Sequence, residues 1–222
     1  VDASRIYVMP FEAAFAARQS SDKAGTDADM MVTYGLDCPY VYYPAQFQAH
    51  KNHVYLLQGL KELELRHNLT VGAIFSGSDL GNAGHIRAYA QQLGLHNRVR
   101  FAGFVPNEEV PLLYKQSLAL VMPSYFGPTN LPPLEAFHLG VPVLYPDLDG
   151  MRDQVADAAL LMDLTDPASM AAQLARLIGE QGLRDRLIMA GKARLEAINR
   201  TDRLGILLNI VKEFRHKRIC WQ

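Results

Sequence analysis

"PSYFGPTNLPPLEAFHLGVPV", residues 123–143, combines a turn-rich loop, a helical segment and an apolar strand. Gly, Pro, Thr and Asn crowd the loop, two prolines open the predicted helix, and a glycine closes it. Proline suits the first turn of a helix, where its missing N–H costs nothing, and glycine readily ends a helix. An apolar strand, 118–124, precedes the loop. A strand, a helix and a second strand in succession predict a parallel sheet with its crossover helix.

The same alternation continues along most of the chain. We predict strands over 40–45, 69–77, 99–105, 118–124, 141–147 and 158–163. We predict helices over 53–67, 84–94, 107–117, 132–140, 152–155, 167–179, 182–198 and 202–217. Asn107 is the expected cap of the helix that begins there. The pattern predicts an α/β fold, a Rossmann-like, doubly wound parallel sheet of about six strands. Such sheets bind ligands at the carboxyl ends of their strands, beside the switch point of strand order.

Composition narrows the classes of function. The 222 residues carry a formal net charge of −1, which gives no support for a nucleic-acid partner. Cys38 and Cys220 permit neither a disulfide framework nor a metal-ligand spacing, so we expect a reducing cytoplasm. Among the histidines, the spacing of His50 and His53 comes closest to that of a chelating pair, and we expect no metal there. No apolar run approaches the ~20 residues of a membrane span.

The loop at the start of the 132–140 helix is a candidate anion site. The first N–H groups of a helix lack partners, and the helix dipole favours negative charge there. Donors would come from Gly127, Thr129, Asn130 and Leu131, and Gly127 lets a ligand approach the backbone closely. Glu135 lies about one turn into the helix, where its carboxylate could accept two hydrogen bonds from a sugar diol. An ordinary loop with a solvated glutamate explains the same residues equally well.

The segment 123–143 resembles the donor-site signature of family 4 glycosyltransferases of the GT-B fold. That signature usually reads PS-x-x-E-G-F-G-L-P-x-L-E-A-x-x-x-G-x-P-V. Further segments resemble the family in the expected order: "SRIYVMPFEAAFA" (4–16), "YPAQFQAHKNHVYLLQGL" (43–60), "VRFAGFVPNEEVPLLYKQSLALVMPS" (99–124) and "GMRDQVADAALLMD" (150–163). The resemblance covers roughly residues 1 to 200. It implies the donor-binding half of a two-domain transferase.

The resemblance also implies roles for individual residues. Lys51 matches the lysine that contacts the donor diphosphate, and Glu135 matches the acid that holds the nucleotide ribose. We take these two as the catalytic residues. The base would lie against Phe104 and Val105. All positions implied in donor binding are Gln46, Ser76, Gly77, Phe104, Val105, Gly127, Pro128, Thr129, Asn130, Leu131 and Leu134.

Two positions depart from the family pattern. The first acid of the E-x7-E motif falls on Gly127, and we expect Asn130 or Thr129 to take over its contact with the sugar hydroxyls. Sequences reading "SYFGPTN" resemble bacterial mannosyltransferases and related enzymes of surface polysaccharide synthesis, so we interpret this departure as a subfamily trait.

The second departure concerns the diphosphate. The usual arginine, five residues before the lysine, is Gln46 in this chain. His50 or Arg152 could supply the second positive charge, and the sequence does not decide between them.

The expected function is that of a retaining glycosyltransferase with a nucleotide-diphospho-sugar donor, GDP-mannose being the first choice. The expected acceptor is a growing or lipid-linked glycan, bound by an N-terminal domain that this chain lacks, and no cofactor is expected. We therefore expect little or no transfer by the chain alone. A nucleotide-sugar 2-epimerase and a non-catalytic sugar-nucleotide-binding module are the alternatives, and the departures at Gly127 and Gln46 favour the second.

Three regions follow from this interpretation. Residues 1–36 would be an interdomain connection and mobile linker, and 37–200 the nucleotide-sugar-binding domain. The helix within 201–222 would pack on the N-terminal domain through an apolar face. Its basic end, "RHKR", also suits contact with anionic lipid. We expect a cytoplasmic location, with the inner face of the membrane as a further option.

Overall fold

A six-stranded parallel sheet forms the centre of the molecule. The structure is a computed structural model that describes residues 6, 7, 9, 11, 28–127 and 130–219. The strands are β1 (Tyr40–Pro44), β2 (Gly72–Ser76), β3 (Val99–Gly103), β4 (Leu120–Val121), β5 (Val143–Pro146) and β6 (Leu160–Met162). Their order in the sheet is β3-β2-β1-β4-β5-β6. The prediction of a doubly wound, Rossmann-like α/β fold is confirmed.

Helices separate the strands along the chain. They are α1 (Met30–Thr33), α2 (His53–His67), α3 (Ala83–Gln92), α4 (Val110–Lys115), α5 (Leu131–Leu139), α6 (Arg152–Val155), α7 (Pro167–Gly179), α8 (Leu183–Asn199) and α9 (Arg203–Ile219). A short 3₁₀ turn, Ala49–Lys51, leads into α2. Helices α2 and α7 pack closely, since a Cβ on Gly59 would lie 2.7 Å from the sulfur of Met170.

Three tyrosines of β1 show how the central strand is buried. Tyr40, Tyr42 and Tyr43 have no exposed surface, as expected for a parallel sheet covered on both faces. A buried hydroxyl needs a partner. Tyr40 donates to the carbonyl of Leu113 at 3.0 Å, and Tyr43 donates to that of Lys51 at 2.9 Å. The hydroxyl of Tyr42 points instead towards the carboxyl end of the sheet, where the candidate site lies.

Two expectations about local structure are wrong. The helix predicted from Asn107 begins at Val110, because residues 107–109 form a turn and Pro111 takes the first turn of α4. The connection and mobile linker expected over residues 1–36 contains α1, whose N-cap Asp29 accepts hydrogen bonds from the N–H groups of Met31 and Val32. Residues 17–27 of that region lie outside the described residues.

The switch point of the sheet lies between β1 and β4. Chain order runs outward from β1 through β2 to β3, and then returns to β4 on the other side. The loops after these neighbouring strands therefore diverge and leave a crevice at their carboxyl ends, where α/β sheets bind ligands. Residues 45–52 follow β1, and residues 122–127 and 130 follow β4 on the other side of this point.

Candidate donor-binding site

A cleft of about 280 Å³ lies at the carboxyl ends of β1, β2 and β3. Five positions implied in donor binding line it: Gln46, Ser76, Gly77, Phe104 and Val105. The remaining lining residues are Tyr42, Pro44, Ala45, Ser78, Gly103 and Val110. Phe104 is 87% exposed, whereas Val105 is buried. An exposed ring at the mouth of a cleft offers an apolar face to a planar ligand group.

Close backbone contacts shape the floor of the cleft. The N–H of Ala45 donates to the carbonyl of Ser76, and that of Gly77 donates to the carbonyl of Gly103, both at 2.8 Å. Gly77 has a φ of +146°, and a Cβ there would lie 2.4 Å from the carbonyl oxygen of Ala45. Only glycine fits this backbone and this approach.

We therefore expect Gly77→Ala to destabilise the protein by about 2–3 kcal/mol, because it adds a steric clash to a strained backbone. Gly84→Ala is the matched control, since a Cβ there meets nothing within 4 Å. The control should be neutral or slightly stabilising, and chemical denaturation measures both changes. Equal stability of the two variants would contradict the close contact at Gly77.

A short chain of side chains joins the cleft to Glu135. The hydroxyls of Tyr42 and Ser76 are 2.7 Å apart, and the ring of Tyr42 meets that of Tyr114 edge-on with centroids 4.9 Å apart. The Tyr114 hydroxyl donates to Oε2 of Glu135 at 2.8 Å. Burial raises the pKa of Glu135, and the hydrogen bond from Tyr114 opposes that rise. The carboxylate is thus fixed through one oxygen, and Oε1 has no hydrogen-bond partner among the described residues.

Lys51 lies just before the amino end of α2. The 3₁₀ turn ends with Lys51, and Asn52 then adopts the left-handed conformation, with φ 55°, that starts α2. The side chain is partly buried, and burial lowers its pKa. None of the described carboxylates forms an ion pair with its ammonium. A partly buried ammonium without a carboxylate partner in the described part of the chain is suited to bind an anion.

The loop before α5 is organised by Asn130. The side chain of Asn130 is 5% exposed, and its Nδ2 donates to the Tyr145 hydroxyl at 2.5 Å and to the Gly127 carbonyl at 3.3 Å. Leu131 is exposed at the first position of α5, whereas Leu134 is buried in the core, 1% exposed. Pro128 and Thr129 lie outside the described residues. The Asn130 amide nitrogen therefore already has two acceptors within the protein.

The two candidates for a second positive charge are differently placed. Arg152 forms ion pairs with Asp147 at 2.6 Å and with Asp149 at 3.0 Å. The ring of His50 stacks on Phe126 with centroids 4.5 Å apart. Burial and the charge of Lys51 lower the pKa of His50, which favours its neutral form near pH 7. Arg152 thus already has two carboxylate partners, and His50 does not carry a full positive charge near pH 7.

Neither a metal-binding cluster nor a membrane span occurs in the described parts of the chain. No three His, Cys, Asp or Glu side chains of residues 28–127 and 130–219 come together as metal ligands. The helices in the same part of the chain are too short or too polar to cross a bilayer.

The sequence interpretation missed four residues that organise the site: Tyr42, Tyr114, Tyr145 and Gln154. Tyr42 lies in the predicted strand 40–45, and nothing in that pattern indicates a role for its hydroxyl. The three tyrosines could have been suspected from the sequence, because a buried hydroxyl requires a hydrogen-bond partner. None of them has such a partner next to it in the sequence, so the partner must come from another element. Gln154 gives no such signal, since an amide in a short helix is ordinarily solvated.

The fold and the site together define a Rossmann-like unit with a ligand cleft at its switch point. The sequence model of the family described as "Glycosyl transferases group 1" matches residues 35–194. The chain belongs to this family.

Curated relatives share only part of their length with the chain. It is 26% identical over 155 residues to the O-antigen chain mannosyltransferase B of Escherichia coli, covering 70% of this chain and 41% of that protein. It is 31% identical over 198 residues to the D-inositol 3-phosphate glycosyltransferase of Nocardia farcinica, covering 86% of this chain and 43% of that protein. The chain thus spans less than half of each of these relatives.

A solved structure has the same fold. The Anabaena protein HepE, solved in complex with UDP and glucose, superimposes with a TM-score of 0.68 at 22% identity. The match covers 84% of this chain and 51% of that one. At this level of identity the comparison supports the architecture of the sheet and its helices.

Proposed function

We propose that this chain binds the nucleotide-diphospho-sugar donor of a retaining glycosyltransferase that acts in glycan or polysaccharide synthesis. GDP-mannose is our first choice of donor, and the similarity to an O-antigen mannosyltransferase supports it. The similarity to a protein solved with UDP makes a uridine donor the alternative. One observation carries the proposal: five positions implied in donor binding line a single cleft at the carboxyl ends of β1, β2 and β3, beside the switch point.

The residues around the cleft suit the parts of such a donor. The exposed ring of Phe104 would lie against the base, and Oε1 of Glu135 would accept from the ribose hydroxyls. Lys51 and the amino end of α2 would bind the diphosphate, with the loop before α5 contacting the distal phosphate and the sugar. Because Tyr114 fixes the other oxygen of Glu135, the carboxylate is preorganised for the ribose.

The chemistry follows from these placements. The bond between the sugar's anomeric carbon and the diphosphate oxygen breaks, and negative charge develops on the departing nucleoside diphosphate. The Lys51 ammonium would stabilise that charge. An acceptor hydroxyl would attack from the same face, giving its proton to the departing phosphate oxygen, so that the configuration is retained without a protein nucleophile. No metal or cofactor is part of this proposal.

The acceptor site is proposed to lie on an N-terminal domain that faces the cleft. Helix α9 exposes Leu204, Leu207, Leu208, Val211 and Phe214 along one side, with exposures between 46% and 66%. An apolar face of this kind would pack on that domain, and contact with anionic lipid is the alternative. We therefore expect transfer to require the domain. Robust turnover by the chain alone would contradict this requirement for the N-terminal domain.

A non-catalytic donor-binding module is the second candidate function. Its support is the replacement of the expected arginine by Gln46, together with the two ion pairs that already engage Arg152. Turnover by a protein that contains this chain and the acceptor domain would exclude it.

Calorimetric titration with GDP-mannose, GDP, UDP-glucose and UDP tests the proposed function. We expect Glu135→Ala to weaken nucleotide binding by about 1.5–3 kcal/mol, the usual effect of losing a charged hydrogen-bond partner. Preferential binding of the guanine nucleotides would support GDP-mannose as the donor. Preferential binding of the uridine nucleotides would indicate a UDP-sugar donor instead. If the protein binds none of the four ligands, the proposal is wrong.

Tyr114→Phe is the matched control for Glu135→Ala. It removes the same internal hydrogen bond but leaves the carboxylate in place. Both variants should lower stability, since each leaves a buried group without its partner. Only Glu135→Ala should lose most of the affinity, and equal losses in both would assign Glu135 a structural role alone.

A further inference from the structure

The side chain of Asn130 and any side chain at position 127 compete for one space. A Cβ added to Gly127 would lie 2.3 Å from Oδ1 of Asn130 and 2.9 Å from its Nδ2. Gly127 does not have a positive φ, so its backbone could carry a side chain. The glycine is therefore required here by the neighbouring amide and not by the backbone.

The family signature shows the reverse arrangement. Aligned on "PS-x-x-E-G-F-G-L-P", the signature has an acid at position 127 and glycine at position 130. This chain has glycine at 127 and asparagine at 130. In the signature position 127 carries a side chain and position 130 does not, whereas in this chain the reverse holds. The expected 2.3 Å contact between a Cβ at 127 and Oδ1 of Asn130 explains why only one of the two positions carries a side chain.

A closed network holds Asn130 in this place. The Tyr145 hydroxyl accepts from Nδ2 of Asn130 at 2.5 Å and donates to Oε1 of Gln154 at 3.0 Å. Nε2 of Gln154 donates to the Asn130 carbonyl at 2.5 Å, and Oε1 accepts from the Asn130 N–H at 3.4 Å. Arg194 of α8 donates to the Gln154 carbonyl at 3.1 Å, which connects the network to the body of the fold.

The side chain of Asn130 does not cap α5, although it occupies the N-cap position. Asparagine is among the preferred N-cap residues because its side-chain oxygen accepts from the first helix N–H groups. Here the N-cap makes no such hydrogen bond. The second and third residues of α5 are Pro132 and Pro133, which have no N–H to donate, and the side chain of Asn130 is directed towards Gly127 and Tyr145 instead.

We propose that Asn130 is a specificity-determining residue of the donor site, held in position by Tyr145 and Gln154. Its neutral amide fills the space of the acid found in the signature, so the loop meets the donor sugar with neutral groups instead of a carboxylate. Gln154 is the positioning residue, because its amide binds both the N–H and the carbonyl of Asn130. The part of this proposal that concerns the sugar rests on the proposed function.

A double-mutant cycle between positions 127 and 130 tests the shared space without any ligand. Gly127→Glu alone should lower the melting temperature by roughly 3–10 °C through overpacking. Asn130→Gly should also lower it, by removing buried hydrogen bonds. The double variant should be more stable than the sum of the two losses predicts. Additive losses would overturn the proposal.

Gly179→Glu is the matched control for the added acid. A Cβ at Gly179 meets nothing within 4 Å, so this variant should change the melting temperature little and should show no coupling to Asn130→Gly. A loss as large as that of Gly127→Glu would show that the shared space is not the cause and would overturn the proposal.

Ligand binding tests the specificity and positioning roles. Asn130→Gly and Gln154→Glu should each change the ratio of nucleotide-sugar affinity to nucleoside-diphosphate affinity about 2- to 12-fold, the effect of neutral hydrogen bonds. Gln154→Glu is isosteric but cannot donate to the Asn130 carbonyl. If both variants lower the stability but leave the ratio of the two affinities unchanged, Asn130 and Gln154 have only a structural role and the proposal is overturned. Failure to bind any nucleotide would instead overturn the proposed function, while the stability cycle still tests the shared space.

Discussion

Replacing Lys51 by alanine should weaken the binding of a nucleoside diphosphate by at least about 30-fold, or about 2 kcal/mol. The ammonium is partly buried at the amino end of α2 and has no carboxylate partner among the described residues. The diphosphate would be its first ionic partner, so truncation leaves a desolvated anion unpaired. Calorimetric titration with GDP and UDP measures the loss.

Two variants separate charge from other effects of this change. Lys51→Arg keeps the positive charge and should retain most of the affinity. Lys61→Ala removes another lysine of the same region, whose ammonium pairs with Glu64 at 3.2 Å on the surface of α2. Such surface pairs contribute little, so this control should bind like the unchanged protein. Similar affinities for Lys51→Ala and Lys61→Ala would refute a diphosphate site at Lys51.

The affinity should also depend on pH in a defined direction. Burial lowers the pKa of Lys51, and only the protonated form attracts a diphosphate. Affinity should therefore fall as the pH rises, and it should begin to fall below the pH at which a solvated lysine loses its proton.

Acid should destabilise the protein through His53, by about 2 kcal/mol between pH 7 and pH 5. His53 is 1% exposed, and neither Nδ1 nor Nε2 has a hydrogen-bond partner among the described residues. The rings of Tyr43, Phe47 and Phe75 surround it with centroids 4.8 to 5.1 Å away. Burial, with a smaller effect from the charge of Lys51, lowers the pKa of His53 from 6.5 to about 3.

The sign follows from the two protonation states. Between pH 6.5 and about 3 the unfolded chain binds a proton at His53 and the folded protein does not. Each proton bound only by the unfolded state lowers the free energy of unfolding as the pH falls. The contribution of His53 is thus complete above pH 6.5 and is lost progressively below it.

His53→Leu should remove this acid sensitivity, because leucine has a similar volume and no proton to bind. Urea denaturation from pH 7 to pH 5 measures the slope for both proteins. Phe47→Leu is the control for lost ring packing, and it should lower stability by the same amount at every pH. Parallel curves for His53→Leu and the unchanged protein would contradict the assignment.

The sequence predicts the ends of a helix best where the N-cap residue and the proline in the first turn indicate the same start. Helix α7 begins at Pro167 after Asp166, whose carboxylate accepts from the N–H of Ala168, and both of its ends match the prediction. Helix α4 shows the opposite case, because Asn107 resembles a cap while Pro111 requires a start close to itself. The proline decides, since it lacks an N–H and suits only the first turn.

Site residues can be predicted from the sequence where they lie at the end of a strand or in the loop that follows it. Ser76 ends β2, Gln46 and Phe104 follow β1 and β3, and parallel strands bring their carboxyl ends to one edge. The supporting contacts are not predictable in this way. The pairs Tyr114–Glu135 and Asn130–Gln154 join residues 21 and 24 positions apart, and no local pattern specifies such pairs.

The switch point between β1 and β4 has a consequence for how such proteins diverge. The lining of the cleft comes from one side of the sheet, after β1, β2 and β3. The residues that hold Asn130 come from the other side, with Tyr145 in β5 and Gln154 after it. If the cleft binds the base and the loop before α5 meets the sugar, as proposed, substitutions that alter the two preferences would fall in separate stretches of chain. Each preference could then change by mutation or recombination without altering the other.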